Sequence, residues 1–413
     1  MPAKCDRRAF LKGTGAAMLA GGLVPQSSGR GLPGESAGPA NGEVYGSADP
    51  WIEVDRKAID FNVRQLKKKV GGRAILAVLK CNAYGHGLIG VAKGLERSPV
   101  HGLVVGRLNE ALALRTAGIK LPILNLGPFS DADAEAIVRQ NIDQTIYTDA
   151  ITALDDWARK FDTSAGVHVE IDTGLGRTGV PHGAALAYIS RVASLRHLRI
   201  EGTFQSFSED PEFDRVQLQR FLAVTDAAKK EGLPVGLRHA SASTAVFSYG
   251  AEFYLDAVRP GIAIYGHYPT KKEHEIQRME LRPALSWKTR ASFVKTLQPG
   301  ESLSYFRKFV AEGPERIVTA ALGYSDGAPP DLAGGALALI RGKKFPFICD
   351  LSANHSYLRV TGDDSVVTGD EIVLVGRQAG EEATLWDLAQ ATRTSDYKIL
   401  IGLNPALRRI YSD

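Results

Sequence analysis

From Trp51 onward the chain alternates short apolar, β-branched runs with longer stretches of helical period. The runs cover residues 74–80, 100–106, 122–127, 144–148, 167–172, 200–207, 235–241 and 254–259, and each reads as a buried strand. Between them, residues 109–117 stop at Gly118 and residues 213–231 stop at Gly232, where a glycine C-cap would end a helix. Eight strands alternating with helices predict a (β/α)8 TIM-type barrel, with a doubly wound open sheet as the structural alternative. After about Leu281 the period changes to two. Runs at 286–297, 302–306, 316–322, 336–340, 345–351 and 371–375, separated by turn residues, predict a second, mainly β domain. The expected fold class is α/β: a barrel with its leading segment over residues 46–283, then a C-terminal β domain over 284–413.

The first 45 residues have a different pattern. Lys4, Arg7, Arg8 and Lys12 give a basic start, an uncharged apolar run extends from residue 13 to 24, and a Gly/Pro/Ser-rich stretch follows to about Tyr45. That layout predicts an export signal and linker over residues 1–45. The run is shorter than the roughly 20 apolar residues a membrane-spanning helix needs, so no integral membrane segment is expected in the mature chain. Arg7, Arg8, Phe10, Leu11 and Lys12 resemble a twin-arginine signal, with Asp6 where Ser or Thr is common, and imply a periplasmic destination. No clean A-x-A cleavage site is visible.

With 413 residues, 44% of them hydrophobic and 23% charged, the chain holds enough apolar side chain for two ordinary domains. Fifty basic and 46 acidic residues, spread along the chain for a net charge of +4, form no basic stripe and argue against nucleic acid as a main partner. Three cysteines, without C-x-x-C or H-E-x-x-H, supply no metal-ligand spacing, and no metal is assigned. Cys81 and Cys349 could pair in an oxidising compartment, but two isolated cysteines in different domains read as simply buried. His86 reads as a loop residue, and the charged run 64–69 as a solvated helix face.

A barrel places chemistry where its strands end. Lys80 closes the first run, Arg177 follows the fifth on a Gly-rich turn, Ser206 ends the sixth, Ser243 follows the seventh and Arg259 ends the eighth. Beyond Arg259, the backbone at Gly261 and Ile262 offers N–H groups for a phosphate. A strand-end lysine beside such a cradle suggests a Schiff base with a phosphorylated aldehyde cofactor. Taken alone, Lys80 would read as a solvated lysine at a strand terminus.

Residues 77–87, Ala-Val-Leu-Lys-Cys-Asn-Ala-Tyr-Gly-His-Gly, resemble the pyridoxal 5'-phosphate attachment motif of alanine racemases, and the resemblance continues through 167–180, 258–266, 303–306, 321–327 and 397–411. It covers nearly all of the chain from Trp51. It implies an isomerase, a pyridoxal phosphate-dependent amino-acid racemase, that interconverts L- and D-alanine or a broader range of amino acids. It also implies a homodimer whose active sites are each completed by a tyrosine from the partner. Lys80 matches the Schiff-base lysine and one of two catalytic bases; Tyr305 matches the opposing base. Racemisation needs both, one to take the α-proton and one to return a proton to the other face. Tyr84, Tyr397, Ser243, Gly261 and Ile262 match phosphate contacts, Arg259 the residue facing the pyridine nitrogen, and Arg177 the arginine near the cofactor phenolate and substrate carboxylate.

The departures from the family pattern cluster at the expected pocket. Glu170 stands where a lysine is common, Ser206 where a histidine supports the catalytic tyrosine, Ala242 where asparagine is usual, and Ala353 with Asn354 where Met-Asp lines the substrate entrance. They leave open a degenerate, non-catalytic protein that binds the cofactor or an amino acid. A decarboxylase or a D-amino-acid lyase on the same fold is also open, although Tyr305 argues against both.

Overall fold

In the computed structural model, which describes residues 49–413, eight parallel strands close on themselves. The signal and linker expected over residues 1–45 lie outside the described residues. The barrel strands are, in order, Ala74–Val78, Gly102–Val105, Ile123–Asn125, Asp143–Ile146, Ala165–Asp172, Leu198–Phe204, Leu237–Ala242 and Ala257–Arg259. The eighth pairs with the first through Ala257↔Ala74 and Val258↔Ile75, which rules out the open-sheet alternative. Helices cover the outer face and side chains fill the inner one, so strands such as Gly102–Val105 are buried at every position.

Each helix end follows from local chemistry. In Pro211–Lys230, Asp210 accepts from the N–H groups of Glu212 and Phe213, and proline occupies the first turn, where its missing N–H costs nothing. Leu218, Phe221, Thr225 and Ala228 recur at helical spacing and are buried. Gly232, at φ +76°, then takes the left-handed conformation that ends the helix.

The C-terminal sheet is organised on one long strand, Leu285–Leu297. Its first half pairs with Trp51–Asp55 and Glu371–Gln378, its second half with Glu315–Ala320. Trp51–Asp55, placed with the barrel on sequence order, therefore hydrogen-bonds in the C-terminal sheet instead. There it also pairs in parallel with the last strand, Arg408–Ser412, from Trp51↔Arg408 to Asp55↔Ser412. Four strands of this half escaped the sequence pattern, Phe309–Val310, Ser356–Arg359, Glu381–Ala383 and Arg408–Ser412. The run expected at 302–306 is a strand only at Ser302–Leu303; Ser304, Phe306 and Arg307 have positive φ and break it into a turn. Neither cysteine of the described residues is paired, and neither is buried as expected: Cys81 is exposed and Cys349 half-buried. No helix among the described residues is long and apolar enough to cross a membrane.

The last strand also braces the loop that follows Lys80. Arg409 Nε donates to Gly85 O (2.8 Å) and the Tyr411 hydroxyl to His86 O (3.2 Å). A Cβ on Gly87 or Gly90 would run into the Tyr411 ring, so both positions must be glycine for the loop to lie against it. Tyr411→Ala is expected to cost about 2–3 kcal/mol of unfolding free energy, and Tyr411→Phe, which loses only the hydrogen bond, about 1 kcal/mol. Urea unfolding midpoints check this, together with proteolysis within residues 85–90. Equal loss in the two variants would contradict packing of the ring as the main contribution.

Candidate active site

The strand ends converge on a cavity of about 510 Å³. It is lined by Lys80, Tyr84, Arg177, Ser206, Ala242, Ser243, Arg259, Gly261, Ile262 and Tyr397, among others. Eight residues singled out in the sequence as candidates for cofactor or substrate are thus brought together: Lys80, Tyr84, Arg177, Ser243, Arg259, Gly261, Ile262 and Tyr397. Tyr305 and Ala353 are not. Tyr305 is 72% exposed and Phe306 93% exposed, on the turn of the β domain. Ser304 Oγ donates to Asp350 O (3.3 Å), which ties that turn to the segment carrying Ala353 and Asn354.

Lys80 is presented by an unusual turn. The four residues after it all lie in the left-handed region, with φ between 51° and 56° and none of them glycine. A left-handed turn costs L-residues about 1–2 kcal/mol each, so its surroundings must enforce it. Glu110 Oε1 accepts from Asn82 N–H (3.1 Å), Asn82 Oδ1 accepts from Leu88 N–H (2.8 Å), and Ala83 N–H donates to Leu79 O (2.7 Å). His86, read from sequence as a loop residue, is fully buried, and its Nδ1 lies 2.9 Å from Tyr84 O and 3.1 Å from Ala83 O. Carbonyls only accept, so Nδ1 carries the proton. The Tyr265 ring stacks 4.4 Å from His86 and 5.0 Å from Tyr84, while Tyr397 meets Tyr84 edge-on at 5.3 Å and Lys80 Nζ lies 5.8 Å from the Tyr397 ring centre.

Beside this turn, Ser243 Oγ accepts from the N–H groups of Gly261 (3.0 Å) and Ala263 (3.4 Å). Ile262 opens the short turn Ile262–Tyr265, so its N–H has no intrahelical partner. A Cβ at Gly261 would collide with the Tyr84 hydroxyl; glycine lets that phenol and the backbone N–H converge. Burial pushes the Tyr84 phenol above its ordinary range, so it stays a neutral donor. Hydroxyls and backbone N–H groups converging without a carboxylate fit the phosphate of pyridoxal phosphate, and Lys80 lines the same cavity to meet its aldehyde.

Arg259 is buried at the mouth of the barrel. Its Nη1 donates to His239 O (2.9 Å), and its Nη2 to Gln205 O (2.8 Å) and Ala240 O (3.1 Å). Nη1 also lies 2.7 Å from His239 Nδ1. A guanidinium cannot accept, so His239 Nδ1 is bare and its proton sits on Nε2, which donates to His168 Nδ1 (2.9 Å). Geometry thus fixes both tautomers. Burial, with Arg259 nearby, holds His168 down at about 3 and His239 well below its ordinary value; burial lowers Arg259 itself to about 10, still cationic at neutral pH. Sequence reasoning missed both histidines, although alternation along the fifth strand puts His168 on the same inward face as Glu170 and Asp172.

Burial raises the Glu170 carboxyl, against the pull of Thr178, Arg177 and Arg259. The turn bearing Arg177 is held by Asp172, whose Oδ1 accepts from Gly174 N–H (2.9 Å) and Gly176 N–H (3.0 Å). Ser206 Oγ lies 3.5 Å from Arg259 Nη2, at the limit of a hydrogen bond. Among the described residues there is no group of three or more His, Cys, Asp or Glu side chains that could hold a metal.

Comparison with known proteins agrees in both halves of the described chain. Residues 54–269 match the family model for the alanine racemase N-terminal domain, and residues 284–411 the model for its C-terminal domain. The chain is 33% identical to an alanine racemase from Halothermothrix orenii over 369 residues, covering 88% of this chain and 97% of that protein. It is 35% identical to one from Clostridium perfringens over 367 residues, covering 87% and 95%. The solved alanine racemase of Clostridium difficile superposes with a TM-score of 0.82 at 30% identity, covering 88% of this chain and 95% of that one.

The buried imidazoles make stability sensitive to acid. His86 and His168 are held down at about 3, His267 at about 4, and His239 well below the ordinary value, all by burial. Unfolded, each takes up a proton below about pH 6.5, while folded it stays neutral, so stability falls as pH drops from there toward 4, by up to ~1.4 kcal/mol per pH unit per group. Asp143, pushed up to about 6 by burial, works in the opposite sense and offsets about one of them. Thermal midpoints should therefore decline between pH 7 and 5, and nitrogen-detected histidine spectra at pH 5.5 should show His239 bare at Nδ1 and protonated at Nε2. An imidazolium there would contradict the tautomer chain.

Proposed function

The chain belongs to the alanine racemase family and is a pyridoxal phosphate-dependent amino-acid racemase, and from that premise we propose that Lys80 and Tyr305 are its two catalytic bases. The observation that carries the reading is the single cavity uniting Lys80 with the phosphate cradle and Arg259. Tyr84, Tyr397, Ser243 and the N–H groups of Gly261 and Ile262 hold the phosphate. Bound there, the cofactor supplies an electron-withdrawing ring that acidifies the substrate's α C–H bond. Arg259, cationic at working pH, is the donor for the ring nitrogen and keeps a proton off it, which weakens the ring as an electron sink and favours return of the α-proton over other outcomes. Arg177 orients the substrate carboxylate. Lys80 and Tyr305 exchange protons with opposite faces of the α-carbon, and their roles swap in the reverse reaction. The substrate is alanine or a broader range of amino acids.

Tyr305 serves the site of a second copy. Supporting this are its exposure, its absence from the cavity of its own chain and the bare Phe306 beside it. Ala353, tied to the same turn, then stands at the entrance of the partner's site. The functional unit is a homodimer. Export to the periplasm rests on Arg7, Arg8 and the uncharged run after them.

Mixing inactive Lys80→Ala protomers with inactive Tyr305→Phe protomers is expected to restore about a quarter of parental racemisation on random reassociation, because one site in each mixed dimer combines an intact lysine with an intact tyrosine. No recovery on mixing would place both bases in one chain. Replacing Arg7 and Arg8 together by lysine should hold the protein in the cytoplasm, as fractionation would read; undiminished export would leave only a generic signal.

A further inference from the structure

We infer that this enzyme selects amino acids with a cationic side chain, and that Glu209 is the residue that recognises them; the inference rests on the racemase reading above. Two carboxylates, Asp214 and Glu209, line the cavity beside its cationic groups. Asp214 is saturated. Its Oδ1 accepts from the N–H and the hydroxyl of Ser208 (both 3.0 Å), and its Oδ2 from the Tyr249 hydroxyl (2.6 Å). Glu209 has no hydrogen-bond or ion-pair partner among the described residues.

The position of Glu209 is built, not incidental. Glu209 is exposed, its φ of +66° is one a glutamate adopts at a cost, and the loop before it is bonded to a helix at Ser208 and Ser206. Ser208 N–H reaches Gln217 Oε1 (2.9 Å) as well as Asp214, and Gln217 Nε2 donates to Ser206 O (3.1 Å). Asp214 and Gln217 are both fully buried on the helix Pro211–Lys230, so the loop from Ser206 to Glu209 hangs from a rigid element.

The same cavity also offers a wall that suits an apolar stem. Phe207 and Tyr249 line the cavity with rings 6.2 Å apart, and Phe253 backs them at 5.4 and 4.3 Å. Ser206 and Ala242 are small, so no bulky side chain at those positions divides the space. A side chain of three or four methylenes ending in an ammonium or guanidinium suits both surfaces of this cavity, the apolar one at Phe207 and Tyr249 and the anionic one at Glu209. A long uncharged side chain would take water from the carboxylate and return nothing for it. The alanine side chain carries no charge for Glu209 to bind.

The test compares L-lysine, L-norleucine and L-alanine on the cofactor-loaded enzyme, since norleucine has lysine's carbon chain without the ammonium. Lysine should exceed norleucine in kcat/KM by about ten- to hundredfold, and Glu209→Gln should bring the two within about threefold while lowering lysine far more than alanine. Equilibrium titration of the loaded protein with lysine and norleucine should give the same ratio, and it reads whether or not turnover occurs. Equal use of lysine and norleucine, or a ratio untouched by Glu209→Gln, would overturn the inference while leaving alanine racemisation standing. So would a parallel loss of lysine and alanine activity with dissociation seen by light scattering, which would make Glu209 a subunit contact. Failure of the racemase reading is separate: no exchange of the α-proton of any amino acid in deuterated water.

Discussion

A guanidinium that stays charged at neutral pH although buried at the mouth of the barrel is the constraint around which the site is arranged. Arg259 meets no carboxylate within hydrogen-bond distance; the carbonyl oxygens of Gln205, His239 and Ala240 and one imidazole nitrogen take its Nη protons. The imidazole must present a lone pair, which sets the tautomer of His239 and then of His168, deep in the barrel. One charge thereby orders a line of polar groups along an axis that barrels commonly fill with hydrocarbon.

The other end of the site depends on strain. The left-handed turn after Lys80 gains nothing from its own sequence and is held from three directions: Glu110 from the helix Leu108–Thr116, His86 and Tyr265 from beneath, and Arg409 and Tyr411 from the C-terminal strand. Lysine is the most mobile of side chains, and a backbone with a single permitted shape is a direct way to aim it.

The barrel was legible because its signal is local: eight apolar runs, each bounded by turn residues, give eight strands. Eight of the candidate residues fell in one cavity for the same reason, since strand ends can be counted along the chain. What escaped is non-local. His168 and His239 lie 71 residues apart, and their relation exists only in the closed barrel. The strand Trp51–Asp55 looks like a leader to the barrel because it comes just before it, yet its partners are hundreds of residues away. The turn at Tyr305 has positive φ at Ser304, Phe306 and Arg307 without a glycine to announce it, so period-two reading ran straight through. Cys81 is exposed because that same kind of unannounced left-handed backbone swings it away from the core.

The pairing of the first described strand with the last has a consequence for how the enzyme comes into being. Trp51–Asp55 leaves the ribosome early and finds its parallel neighbour only when Arg408–Ser412 has emerged. The same late strand carries Arg409 and Tyr411, which seat the loop beyond Lys80. A growing chain can therefore assemble barrel strands as they appear, but the turn after Lys80 lacks one of its three supports until Arg408–Ser412 has emerged. A chain without that strand would carry every catalytic side chain yet leave the lysine on a loop that has lost its outer brace.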